Sequence, residues 1–193
     1  AEIREEVELL PVDAYTHHRV GHKLLDGEVD AAVGVVTNGI ELEREYDREA
    51  DELPIGDHLD IYGMALVTNP AFADENPDTV KSFLRATARG WAAATNDPEE
   101  AVNALVARNA TLERNRDIER VKFETAADVL QFTDHVREFG WGNHDGERWQ
   151  TLGNTLRETD LLDGKIDSEG VWTNEFLDTD TESIGQYAAL IGR

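Results

Sequence analysis

The chain has 193 residues, 40% of them hydrophobic, enough for one domain or two small lobes with a core. Its 41 acidic and 18 basic residues give a formal net charge of -23, so phosphate backbones and anionic membrane surfaces repel it and no nucleic-acid partner is expected. The absence of cysteine rules out disulfides, thiolate metal ligands and a cysteine nucleophile, and no run of about 18 apolar residues offers a membrane span.

In chain order, Val7 to Val12 is a strand candidate that ends at Pro11-Val12-Asp13, where Asp13 can cap a helix. Tyr15, Val20, Leu24 and Leu25 are spaced for a helix over 15–25, which Asp26-Gly27 stops. Val29 to Val36 is a nearly continuous apolar run and predicts a strand buried on both faces. Asn38-Gly39 is a turn and cap, and Ile40 to Ala50 a charged helix. Leu53-Pro54-Ile55 reads as a short edge strand, and Ile61 to Thr68 as a second buried strand.

From Asn76 the period becomes helical. Asn76-Pro77 is a cap followed by proline at the first helical position, with Val80, Phe83, Leu84, Thr87 and Trp91 on one face. Asn96-Asp97-Pro98-Glu99-Glu100 repeats that signature and turns Ala101, Val102, Leu105 and Val106 inward. Thr125 to Phe139 predicts a third helix closed by Gly140. Asp145 to Leu162 predicts a fourth, with Trp149, Leu152, Leu156 and Leu161 as its stripe. Val171 to Leu177 is a short terminal element, and Ile184 to Ile191 a weak amphipathic segment. The front third therefore alternates strand and helix and the rest is helical, an α/β lobe followed by helices that lack a sheet.

The acidity is spread along the chain among recurring apolar residues. It reads as a solvated surface suited to high salt, of haloarchaeal type. No signal peptide is visible; the first residues, Ala1 to Leu10, read like the interior of a domain, so any export signal would lie upstream of them.

Four residues stand at element ends, where open α/β sheets bind ligands. Asn38 can both donate to and accept from a heterocycle, and Glu41 can accept from an exocyclic amine; as plain structure they are a cap and an acidic first turn. Tyr62, near Met64, can stack on a flat ring or simply fill a half-buried strand position. Asn69 can touch a ligand or cap a turn. His18 and His22 share a helix face beside His17, with Asp26 as the nearest third ligand, but no metal-protease pattern accompanies them and solvated histidines are expected. Trp141-Gly142-Asn143-His144-Asp145 is a loop before a helix; His144-Asp145 suggests acid–base chemistry, while a cap with Trp141 in the core is the simpler reading. No phosphate-binding glycine loop or nucleophile elbow occurs.

Gly27-Glu28-Val29-Asp30-Ala31-Ala32, the return strand Tyr62-Gly63-Met64-Ala65-Leu66-Val67-Thr68-Asn69, the helix pair from Glu75 to Ala101 and the segment Val171 to Leu177 together resemble periplasmic-type substrate-binding proteins of ABC transporters. Gly34-Val35-Val36-Thr37-Asn38-Gly39-Ile40-Glu41 is similar to the signature of the thiamine-pyrimidine-precursor (NMT1/THI5-like) branch, with nitrate, sulfonate and taurine binders as its neighbours.

The resemblance implies a two-lobe type II α/β fold of which this chain is the C-terminal part. Residues 1–61 would belong to the second lobe, 62–69 to a hinge strand and 70–193 to the helical part of the first lobe. It further implies an extracellular solute-binding component of an ABC importer, anchored through an N-terminal lipid. The partners would be a small polar ligand held in an interlobe cleft, such as a thiamine pyrimidine precursor, and an ABC permease. Ligand contacts would come from Asn38, Glu41, Tyr62 and Asn69. No cofactor and no catalytic residue are implied, and an incomplete lobe would favour a homo-oligomer. A pyrimidine synthase of the same branch is the enzymatic alternative, disfavoured because its cysteine-rich segment has no counterpart here. A ligand-free helical interaction domain is the third reading.

Overall fold

A computed structural model describes residues 7, 8, 10, 20–49, 51–130, 133–164, 167 and 170–178. Its helices, in order, are α1 (Val20–Leu25), α2 (Asn38–Tyr46), α3 (Pro70–Glu75), α4 (Pro77–Asn96), α5 (Pro98–Arg108), α6 (Arg116–Leu130), α7 (Asp134–Phe139) and α8 (Gly146–Glu158), with 3-10 turns at Ile55–Asp57 and Ala110–Asn115. No strand occurs among the described residues. The expected type II periplasmic-binding α/β fold with a strand–helix front third is therefore corrected to a helical one.

The physical reason is pairing. An apolar run becomes a strand only when its N–H and C=O groups find a ladder partner. Residues 31–36 are all exposed, Val33 at 85% of its surface, where burial on both faces was expected. In the run 61–68, Met64 is 78% and Val67 91% exposed. Leu53-Pro54-Ile55 leads from extended Pro54 straight into the 3-10 turn rather than along a sheet edge. Of the first strand candidate, Val7, Glu8 and Leu10 carry no regular structure. Leu9 and residues 11–19, including His17 and His18, lie outside the described residues, as does Ile184 to Ile191.

The chain divides into two compact units, Ala1–Glu52 and Leu53–Arg193. In the first, α1 and α2 meet where Gly21 faces Leu42. A Cβ on Gly21 would come within 3.0 Å of the Leu42 side chain, so the missing side chain allows the close approach. Leu42 is buried there. The contact is completed by His22 and Tyr46, whose rings meet edge to face at 5.0 Å with the hydroxyl 2.9 Å from His22 Nε2. Asp47, in the left-handed region at φ 52°, ends α2 four residues before the helix expected to reach Ala50.

In the second unit, α5 packs against both α4 and α6, and α3 against α4. The buried apolar residues are small: Ala73, Ala92, Val102 and Ala127. Ala92 packs with Ala88, Val136 and Trp141, and Trp91 stacks on Phe123 at 5.6 Å. Two expected inward residues face solvent instead: Phe83 is 59% exposed, and Leu105 is exposed as well.

The proline-led starts of α4 and α5 occur where the sequence puts them. At α5, Asp97 accepts from Glu100 N at 3.0 Å. At α4, Asn76 instead donates its amide back to the Phe72 carbonyl at 3.2 Å, closing α3. The single helix expected over 125–139 is two: α6 starts earlier, and α7 begins afresh at Thr133, whose Oγ1 accepts from Val136 N at 3.2 Å. Gly140, at φ 89°, closes α7 in a conformation that L side chains resist. No described helix is long and apolar enough to cross a membrane.

Candidate functional site

The four residues singled out from the sequence fall in different settings. Asn38 begins α2 and folds back on its own turn: its Oδ1 accepts from Val35 N at 2.8 Å, and its N–H donates to Val35 O at 2.9 Å. Glu41 lies in the first turn of the same helix, half-buried, where a carboxylate complements the N-terminal dipole. Asn69 is the cap of α3, accepting from Ala71 N at 2.9 Å ahead of Pro70. Tyr62 makes contacts far along the chain.

Tyr62 lies in the non-helical segment 58–69, which leads from the 3-10 turn to α3. Its hydroxyl accepts from the N–H of Asp145 at 2.6 Å, across 83 positions of sequence. Its ring meets His144 edge to face at 5.1 Å and lies tilted against Trp149 at 5.6 Å. The Arg148 guanidinium stands 5.6 Å from the ring centroid and also pairs with Asp60 Oδ1 at 2.9 Å. Three separate stretches thus converge: 60–62, the turn 144–149 and the terminal element around Trp172.

Local chemistry fixes the turn. Asp145 caps α8, with Oδ1 accepting from Glu147 N at 2.8 Å. Its carboxylate is committed to the helix end, while its own N–H is left for Tyr62. Asn174 brackets the residue before it: His144 N–H donates to Asn174 Oδ1 at 2.8 Å, and Asn174 Nδ2 donates to His144 O at 2.9 Å. That two-bond clasp sets the Trp172 ring 6.1 Å from the imidazole. Gly146 makes room for it, since a Cβ there would lie 3.2 Å from Trp172 Cζ2.

His144 is the centre of the assembly. The indole N–H of Trp149 donates to its Nδ1 at 3.1 Å, which requires Nδ1 to be the unprotonated nitrogen. Burial, and then the neighbouring His135, hold its pKa below the ordinary histidine value of 6.5. His135 in turn contacts the Asn143 carbonyl at 3.2 Å and its side-chain oxygen at 3.1 Å. Trp172 Nε1 is buried with no hydrogen-bond partner among the described residues. A buried donor left unpaired costs about 1–3 kcal/mol.

The acid–base reading of His144-Asp145 finds no support in this geometry. The carboxylate serves the helix end and the imidazole accepts from an indole. The histidines expected to be solvated include His22, which is exposed and bonded to Tyr46. No group of three metal-binding side chains occurs among the described residues. Sequence reasoning picked out Tyr62 and the 141–145 loop separately and passed over Trp172 and Asn174. The density of aromatic and amide residues in 141–149 and 172–176 was the available signal.

The family model described as NMT1/THI5 like matches residues 4–101. The chain belongs to the NMT1/THI5-like family. It is 24% identical over 159 residues to the riboflavin-binding protein RibY of Chloroflexus aurantiacus, covering 80% of this chain and 44% of that protein. It is 24% identical over 180 residues to the formylaminopyrimidine-binding protein of Halalkalibacterium halodurans, covering 88% of this chain and 51% of that protein. The chain thus spans about half the length of the curated relatives it matches. No solved structure gives a significant match.

Proposed function

We propose that this chain is part of a solute-binding protein that captures a small polar molecule with a flat heterocyclic ring outside the cell and delivers it to an ABC importer. The observation that carries the reading is the family membership together with two relatives that are named as binding proteins, one for riboflavin and one for a formylaminopyrimidine. Both of those ligands contain a flat, nitrogen-rich ring. The aromatic assembly around Tyr62 supports the choice of ligand class, because edge-on and tilted rings with a nearby cation suit such a solute. The unpartnered indole N–H of Trp172 is the donor we assign to a ring acceptor, reached as the side chains over it shift on binding. A thiamine pyrimidine precursor fits the same description.

The test is calorimetric titration of the chain with riboflavin, with formylaminopyrimidine and with thiamine. Binding of at least one ring ligand is expected, and Trp172→Phe, which keeps a ring and removes the donor, should weaken it about tenfold, or about 1.4 kcal/mol. The same variant breaks no hydrogen bond among the described residues, so it should still unfold cooperatively in denaturant. If none of the three ligands binds, the ring-solute reading fails. Unchanged affinity in Trp172→Phe would remove that residue from the site.

A further inference from the structure

We propose that His144 is a proton-sensitive pin that holds segment 58–69 to the turn before α8, so that acidification unfastens the segment while the helices stay folded. The inference stands on the geometry of the knot. Residues 63–69 are exposed, and among the described residues the long-range hydrogen bond, ion pair and ring contacts of segment 58–69 join Asp60 and Tyr62 to residues 144, 145, 148 and 149. The ring contacts among them run through the imidazole: Tyr62 lies against His144 and Trp149, and His144 Nδ1 holds the Trp149 indole. The His144 imidazole receives the Trp149 N–H at Nδ1, the same nitrogen that would take up a proton. Once protonated, Nδ1–H faces an indole N–H, donor against donor, and the 3.1 Å contact cannot persist. Trp149 and His144 must then part, and both are the surfaces on which the Tyr62 ring rests.

The charged groups around the imidazole point the same way. From α8, Arg148 brings a cation against the Tyr62 ring. From α7, His135 stands near the imidazole and disfavours its charged form. The Asp60 carboxylate is engaged by Arg148, and that of Asp145 by the α8 N-terminus, so neither is turned to an imidazolium. From the terminal element, Trp172 and the uncharged Asn174 face it. Aromatic faces attract cations, but burial opposes the charged form more strongly here, and the imidazole is held neutral to lower pH than a free histidine. The sign follows: the fastening is complete above the ordinary histidine value of 6.5 and is lost as pH falls through the lowered value in the folded protein.

The device is independent of the proposed ligand, and so is its test. Hydrogen exchange of the whole chain, corrected for intrinsic rates, is followed peptide by peptide from pH 7.5 to 5. Opening is read at the Asp145 amide, which donates to the Tyr62 hydroxyl; it should rise by about tenfold for each pH unit between 6.5 and the folded value, while α4 and α5 keep their protection. His144→Phe, which keeps a ring and cannot titrate, should make exchange of the Asp145 amide independent of pH; His135→Gln should retain the pH response. Should His144→Phe fold poorly, histidine NMR of the parent decides. An Nε2–H tautomer that titrates below 6.5 in step with exchange of the Asp145 amide supports the pin. Equal protection of that amide at both ends of the range, a pH response that survives in His144→Phe, or a titration out of step with opening overturns it.

Discussion

Two apolar stretches of this chain look alike as sequence and differ as structure. Residues 29–36, with four Val and two Ala, and residues 61–68, with Ile, Met, Ala, Leu and Val, are both largely apolar, and both are non-helical and exposed at most positions. Among the described residues, the first is fastened by its neighbours: Lys23 pairs with Glu28 at 2.7 Å before it, and Asn38 bonds Val35 at its end. The second is fastened at Asp60 and Tyr62 to residues more than 80 positions away. The difference shows that composition sets what a segment can bury, while a few anchoring side chains decide whether it is held to anything.

The largest test of that contrast is Tyr62→Ala. It removes a half-buried ring and the acceptor for Asp145 N–H, and should cost about 2–3 kcal/mol in denaturant unfolding of the unit that contains it. Tyr62→Phe keeps the ring and should cost about 1 kcal/mol. If the alanine variant is as stable as the parent, the long-range anchor is decorative and the two stretches are equivalent.

Asn38→Ala probes the local kind of fastening. It deletes one exposed hydrogen bond to Val35 N, so about 1 kcal/mol or less is expected, confined to the start of α2 and visible as faster exchange of residues 35–40. The smallest effect belongs to a surface pair, Arg85 and Asp178, joined by two bonds of 2.7 and 2.8 Å. The Arg85 guanidinium holds the Asp178 carboxyl below its ordinary value of 3.8. Its contribution is therefore present above 3.8 and disappears as pH falls through the lowered value. Asp178→Asn should lose at most about 1 kcal/mol at neutral pH, less in high salt, and nothing in strong acid.

Much of the helical part was legible because its signals are local. Asp97-Pro98 starts α5 with the expected hydrogen bond, and Gly140 stops α7. Asp145 caps α8 as read. The α6–α7 break was missed because Thr133 caps through a side-chain oxygen that also suits a helix interior, so spacing alone did not mark it. The strands were misread for a different reason: an apolar run names no partner, and a ladder needs one. The aromatic knot was legible only in pieces. Nothing in spacing joins Tyr62 to Asp145, and Trp172 and Asn174 look unremarkable until the turn they bracket is in place.

The chain contains one methionine, and it is Met64, exposed in the segment that Tyr62 fastens. With no cysteine to compete, peroxide has a single soft sulfur to attack. Its conversion to the sulfoxide is therefore a one-site chemical clock. Anything that settles over residues 63–67, whether a solute, a membrane protein or another polypeptide, slows that clock and can be scored from the intact mass alone.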